Sequence, residues 1–284
     1  GKIILFSGAQ SQGQGHINTF RQLLSGILGV SKDRITMVQG DSDLSPTAGS
    51  TTGSRTMAVG GGAFHKAALE IIEKARNFAA DRLECAVEDV EFDDGTFCVT
   101  GTDRTITLGN IIDMLPKETL ETEVDYEAAA PTYPNGCHIA EVEIDPETGT
   151  LTLERYAGID DSGCVINHMI VDGQLHGGIV QGAGQVMMED AIYNEDGQLL
   201  TGSFMDYAMP RADNMPFFAL DFHPVPCRTN AIGVKGAGES GTIGSIPTVM
   251  NAIIDALRSA GVASENMIDM PATPNALWRV LNER

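Results

Sequence analysis

Three stretches of the chain place glycines in close succession just ahead of a predicted helix: Gln10-Ser11-Gln12-Gly13-Gln14-Gly15-His16, Gly49 to Arg55, and Lys235-Gly236-Ala237-Gly238-Glu239-Ser240-Gly241. A helix start leaves its first N–H groups unpaired and carries the positive end of the helix dipole, and glycine lets a ligand come close to that backbone. Such a loop suits an anion such as a phosphate. A single loop of this kind is ordinarily a tight structural turn. Three in one chain, one flanked by Gln12, Gln14 and His16 and another ending in Arg55, point to a phosphate-bearing ligand. The chain holds 32 glycines in 284 residues, against roughly 20 at typical usage.

Charge removes one class of partner. Lys plus Arg number 18 and Asp plus Glu 39, a net charge of −21 with no basic block, so nucleic acid is not expected to bind. Hydrophobic residues at 42% with 20% charged match a folded globular chain. Cys85, Cys98, Cys137, Cys164 and Cys227 are odd in number and form no C-x-x-C pair, which speaks against a disulfide framework or a cysteine-held metal and fits a reducing, cytoplasmic compartment. Cys137 and Cys164 are read as small buried fillers. There is no leader pattern and no apolar run approaching about 18 residues, so neither secretion nor a membrane span is expected. The chain opens on Gly1 inside a predicted strand, as expected of a truncated or split polypeptide.

The periodicities predict strand, loop and helix over Lys2–Phe6, Ser7–Gly15 and His16–Leu28, then a strand at Ile35–Val38 and a long polar loop from Gly40 to Arg55. A loop of that length usually has a function. A helix follows over Gly60–Ala86, then two short strands and a capped helical turn between Val90 and Met114. Met114 to Pro134 mixes acids, prolines and a triple alanine without a period, which puts the expected boundary between a first lobe at 1–125 and a second at 126–284. A hairpin turning at Asp145–Gly149 begins the second lobe. Met169–Glu189 has helical spacing despite Gly173, Gly177, Gly178, Gly182 and Gly184, so that helix is expected to pack against other backbone. A strand at Phe217–Val225 and helices at Ile243–Ala260 and Asn275–Leu281 complete an α+β chain of mixed sheets with packed helices.

Gly236, Gly238 and Gly241 formally spell G-x-G-x-x-G, but the preceding residues Pro226–Asn230 are polar and Asp255, near the place of the expected acid, lies inside the following helix, so a dinucleotide-binding Rossmann unit is disfavoured. No P-loop, G-x-S-x-G elbow or H-E-x-x-H pair is present. Glu239, between glycines, can serve as a general base or stand as a solvated loop carboxylate. His16 can donate to a ligand or orient its helix, and Arg55 can clamp a phosphate or pair with Asp41 or Asp43.

Taken together and in order, these loops resemble the molybdopterin-binding large subunit of the molybdenum hydroxylases, the family of xanthine dehydrogenase, aldehyde oxidoreductase, nicotinate dehydrogenase and aerobic carbon monoxide dehydrogenase. The likeness also runs through Asp160 to Asn167, Gly173 to Gly182, Tyr207 to Ala212 and Gly233 to Glu239. His168 follows Asn167 where the family pattern has proline. The resemblance implies the C-terminal half of a molybdenum-binding subunit, with Glu239 as the base that deprotonates an oxygen held at molybdenum. It implies that Gln12, Gly13, Gln14, Gly15 and His16 lie by the pterin and metal. Gly53, Ser54, Arg55, Cys164, Ile166 and Asn167 would hold a pterin cytosine dinucleotide, and Lys235, Gly236, Ala237 and Gly238 would line the pterin. The metal is then held by the pterin dithiolene and by no protein ligand. Implied partners are the N-terminal half of the subunit, an iron–sulfur subunit and a flavin subunit carrying FAD, so the chain alone is expected to be inactive. The implied reaction hydroxylates an N-heterocycle or aldehyde; a carbon monoxide dehydrogenase portion and a non-catalytic scaffold are the alternatives.

Overall fold

A computed structural model describes residues 2–45, 47, 49–116, 119–263 and 267–283. Pro46 and Ala48 of the long polar loop, and Lys117 and Glu118 of the expected boundary, lie outside the described residues. The chain forms two compact units, and neither is a single stretch: the first is Gly1–Tyr133 with Gly163–Ile170 and Pro226–Gly236, the second Pro134–Ser162 with Val171–Val225 and Ala237–Arg284.

In the first unit, β1 (Ile3–Ser7) and β2 (Ile35–Gln39) pair in parallel, joined through α1 (His16–Leu28). Left-handed glycines stand at both ends of α1, Gly15 at φ 74° and Gly29 at φ 58°, so its limits follow from where an L-residue would be strained. Its apolar stripe, Phe20, Leu24 and Leu28, packs with Ile72, Ala75 and Ala79 of α2 (Thr56–Leu83). The helix predicted from Gly60 thus starts earlier, at Thr56, directly after Arg55. Between Val90 and Met114 there are three strands, not two: β3 (Val90–Asp93), β4 (Thr96–Val99) and β5 (Thr105–Thr107) form an antiparallel sheet. The added strand is short and polar at both ends, which hid it. The Thr107 hydroxyl then accepts from Asn110 N–H and caps α3 (Leu108–Met114).

The second unit is built on β6 (Asn135–Ile144), β7 (Leu151–Asp161) and β8 (Phe218–Phe222), with β7 antiparallel to β6 and parallel to β8. Leu153 and Tyr156 of β7 share a core with Leu175, Ile179 and Ala183 of α4 (His168–Met187), with Val249, Ile253 and Leu257 of α5 (Ser240–Ser259), and with Leu277 of α6 (Pro274–Asn282). Helix α5 opens at Ser240, three residues ahead of the predicted start at Ile243. A Cβ on Gly241 would strike the Leu175 carbonyl and Ile179 N–H of α4, which is why glycine is used there. Gly178 lies against Gly241 and Thr242, and Gly182 against Thr242 and Ser245, the close backbone packing expected of α4. Gly173 and Gly177 depart from that expectation, with no atom within 4 Å of where a Cβ would stand. No helix among the described residues is long and apolar enough to cross a membrane. Without a strand before Gly236 the early opening of α5 does not make a Rossmann unit; Val234 forms only an isolated bridge to Gly163.

Candidate functional site

All of the predicted ligand-binding residues except Ala237 and Gly238 fall in the first unit, although they come from four well-separated parts of the chain. They meet in a closed circuit. The Thr51 hydroxyl donates to the Gln10 carbonyl at 2.9 Å, tying the second glycine loop to the first. Ser54, itself at φ 52°, lies under Gly236, where an added Cβ would stand 2.9 Å from Ser54 Cβ. The Gly233 carbonyl accepts from Cys164 N–H at 2.8 Å and from Cys227 N–H at 2.9 Å, joining 226–236 to 163–170. The circuit closes where Gly15 packs on the Ile170 side chain.

One residue that sequence reasoning missed locks this arrangement. Gln22, on α1, donates to the Ile166 carbonyl and accepts from Asn167 Nδ2 at 3.0 Å. Asn167 Oδ1 in turn accepts from Ile170 N–H at 3.1 Å and so caps α4. His168 is then the first helical residue, a position that tolerates proline and needs none. A lone amide on an amphipathic helix gives no signal of such a role.

The circuit leaves backbone open. At Gly13 (φ +113°) and Gly53 (φ +62°) nothing lies within 4 Å of the missing Cβ, so the backbone at these two glycines borders open space. Gln14 Nε2 donates to Gln12 Oε1 at 2.7 Å, and Gln12 N–H donates to Gln14 Oε1, so the two amides hold the tip of the loop. Arg55 is exposed and forms no ion pair with Asp41 or Asp43 among the described residues; its guanidinium lies by Gly49. Cys164 is half-buried, whereas Cys137 is exposed on β6, which corrects its reading as a buried filler.

His16 Nδ1 is buried with no hydrogen-bond partner. Burial lowers the pKa of the ring, opposed by a hydrogen bond to the Gln10 backbone. The unfolded chain therefore takes up a proton near the ordinary value of 6.5 that the folded chain refuses. This group's contribution to stability is full above that pH and is lost as pH falls toward the folded pKa. NMR titration of the imidazole is expected to give a midpoint below that of an exposed histidine; a midpoint at the ordinary value would contradict the buried setting.

At Gly163, φ +66°, the circuit has no room for a side chain, because a Cβ there would collide with the Gly233 carbonyl oxygen. Gly163→Ala is expected to cost about 1–2 kcal/mol in backbone strain alone, with the steric shift in addition. Ligand retention on gel filtration checks this, with Gly173→Ala, in open space, as the variant expected to retain it.

In the second unit Glu239 occupies the N-cap position of α5, exposed, with its backbone carbonyl accepting from Ile243 N–H at 3.0 Å. Ser240 Oγ donates to the Ala237 carbonyl at 3.0 Å and so holds the turn through Ala237 and Gly238. The same unit buries a polar cluster that no motif announced. His138 Nδ1 lies 2.6 Å from the Tyr156 hydroxyl and Nε2 lies 2.7 Å from Asp160 Oδ2. The ring is wedged between Gly158 of β7 and Gly244 of α5, where added Cβ atoms would stand 3.0 and 2.8 Å from it. Burial, with the Asp160 charge adding and a Thr248 hydrogen bond opposing, pushes the Tyr156 phenol well above its ordinary value.

The family described as the molybdopterin cofactor-binding domain matches residues 1–216. The chain is 34% identical over 290 residues to the nicotine 6-hydroxylase large subunit of Paenarthrobacter nicotinovorans, covering 98% of this chain and 35% of that subunit. Among solved structures it is similar to carbon monoxide dehydrogenase from Oligotropha carboxidovorans, with a TM-score of 0.87 and 34% identity over 97% of this chain and 35% of the other. It is also similar to quinoline 2-oxidoreductase from Pseudomonas putida 86, with a TM-score of 0.85 and 30% identity over 100% of this chain and 37% of that one. The chain thus spans about a third of the length of these relatives.

Proposed function

This chain belongs to the molybdopterin cofactor-binding domain family, and on that basis we propose that it is the cofactor-holding portion of a hydroxylase that inserts water-derived oxygen into a C–H bond of an N-heterocycle or aldehyde. The observation that carries the proposal is the closed circuit of glycine loops with open backbone at Gly13 and Gly53 and an unpartnered buried nitrogen on His16. An anionic pterin dinucleotide, in the cytosine form, fits those features: it needs N–H donors in a chain whose net charge is −21.

When bound, the group supplies a molybdenum centre, held by the pterin dithiolene, that accepts two electrons from the substrate. The chain's own residues bind and orient. Gln12 and Gln14 present amides from a loop that Thr51 anchors at Gln10, and His16 offers Nδ1 beside them. Gly53 to Arg55 and Cys164 to Asn167 supply backbone donors, and the Arg55 guanidinium, for the pyrophosphate. Lys235 to Gly238 would line the pterin, and Glu239, next in the chain, would be the proton acceptor. The balance is substrate C–H plus water to C–OH, two protons and two electrons; Glu239 takes the first proton, and the electrons leave to iron–sulfur clusters and FAD on partner chains. The odd, widely spaced cysteines support a cytoplasmic location. The relatives' names cover nicotine, quinoline and carbon monoxide, and the fit to carbon monoxide dehydrogenase keeps that oxidation as the second reading.

Metal and nucleotide analysis of the complex purified through this chain tests the proposal. Molybdenum with cytidine monophosphate released by mild acid is the expected result. An intact complex holding neither would leave a folded scaffold and overturn the reading.

A further inference from the structure

Between Ala191 and Phe217 the second unit turns large apolar side chains to solvent. Phe204 is 82% exposed, Met205 93% and Phe217 104%, with Ile192, Tyr193 and Met209 also out. This is not slack chain. Leu200 N–H donates to the Ile192 carbonyl at 2.7 Å, and Ile192 N–H to Thr201 Oγ1 at 3.0 Å. Gln198 N–H donates to Asn194 Oδ1 at 2.8 Å, the Ser203 hydroxyl to Asp206 Oδ2 at 2.8 Å, and the Tyr207 hydroxyl to Glu189 Oε2 at 2.6 Å. The polar groups hold the backbone while the apolar ones are held outward. Leaving a Phe or Met in water forgoes the free energy that its burial would release. Monomer surfaces rarely gather several in one patch, and Met and aromatic residues are the types enriched in interface cores.

We propose that this braced segment is the docking surface for the part of the molybdenum-binding polypeptide that lies outside this chain. Resting on the family reading above, the inference takes its occupant from length: the relatives carry about two-thirds of their chain beyond the portion matched here. That additional polypeptide has to be seated against this portion, and no apolar surface of comparable exposure is offered by any other single stretch of the described residues. The rim adds a second requirement. Asp190, Glu195, Asp196, Asp206 and Asp213 stand with Arg211 as the one basic residue of 190–217, so the matching surface is an apolar patch edged with Lys and Arg.

The test uses the complex purified from its source, with p-benzoylphenylalanine placed at position 204 and irradiated, and with a peroxide pulse read at Met205 by mass spectrometry. The expected results are a cross-link to the molybdenum-binding polypeptide outside residues 1–284 and oxidation of Met205 at least tenfold slower than free methionine. A cross-link to a second copy of this chain, or to an iron–sulfur or flavin subunit, overturns the assignment, as does oxidation of Met205 at the free rate. Molybdenum measured in the same preparation separates the failures. Molybdenum without the cross-link sinks the docking surface alone, and the cross-link without molybdenum sinks the cofactor reading alone.

Discussion

Glu239→Gln in the assembled enzyme is expected to leave molybdenum and nucleotide content unchanged and to lower kcat by about 10²–10⁴-fold, the range that a positioned general base contributes. The structure supports the separation of the two effects. Glu239 enters α5 through its backbone carbonyl, which accepts from Ile243 N–H, and its side chain makes no capping hydrogen bond. The circuit that would hold the cofactor is made by Thr51, Ser54, Cys164 and Gly233 in the other unit and does not include Glu239. Glutamine keeps the size and loses the negative charge together with the ability to take a proton. Loss of the anion at a helix start is worth about 0.3–1 kcal/mol, so thermal stability is expected to change little. Substrate KM is expected to stay within a few-fold while kcat collapses. Turnover of the variant near the parent rate would remove Glu239 from the base role, and loss of molybdenum would show that it holds the cofactor instead.

How much of this was legible in the sequence depends on whether the signal is local. Helix α1 was readable to the residue because its apolar period is punctuated by Gly15 and Gly29, both of which need a left-handed backbone. The start of α5 was not, because Gly241 looks like loop until α4 is seen beside it. The exposure of Cys137 could have been read from strand parity. It shares the outward face of β6 with Ile139, Glu141 and Glu143, while His138, Ala140 and Val142 alternate inward. The three glycine loops were visible as loops, but which loops touch is long-range information, carried by pairs such as Ser54 with Gly236 and Gly15 with Ile170. A single boundary at 125/126 is likewise what a linear reading offers. The compact units instead change over at Tyr133/Pro134, and 163–170 and 226–236 return to the first.

The largest effect on folding is expected at His138, a residue outside every motif. Its side chain and that of Asp160 are each 4% exposed, so the carboxylate has the imidazole in place of water. Nε2 faces the Asp160 carboxylate and Nδ1 the Tyr156 hydroxyl, so both ring nitrogens have a hydrogen-bond partner. His138→Ala removes both bonds at once and leaves a buried charge without its partner, at a cost of about 3–5 kcal/mol. It also leaves the space between Gly158 and Gly244 unfilled, loosening β7 against the first turns of α5. Asp160→Asn is expected to cost less, because the amide still offers Nε2 a hydrogen-bond partner. Combining the two changes is expected to cost less than their sum, since the unpaired charge is created only once. The chain's single tryptophan, Trp278, lies on α6 in the same unit, so its fluorescence during urea unfolding reports on the element concerned. A midpoint unmoved by His138→Ala would mean that water replaces the ring on Asp160 at no cost, and the cluster would then hold nothing together.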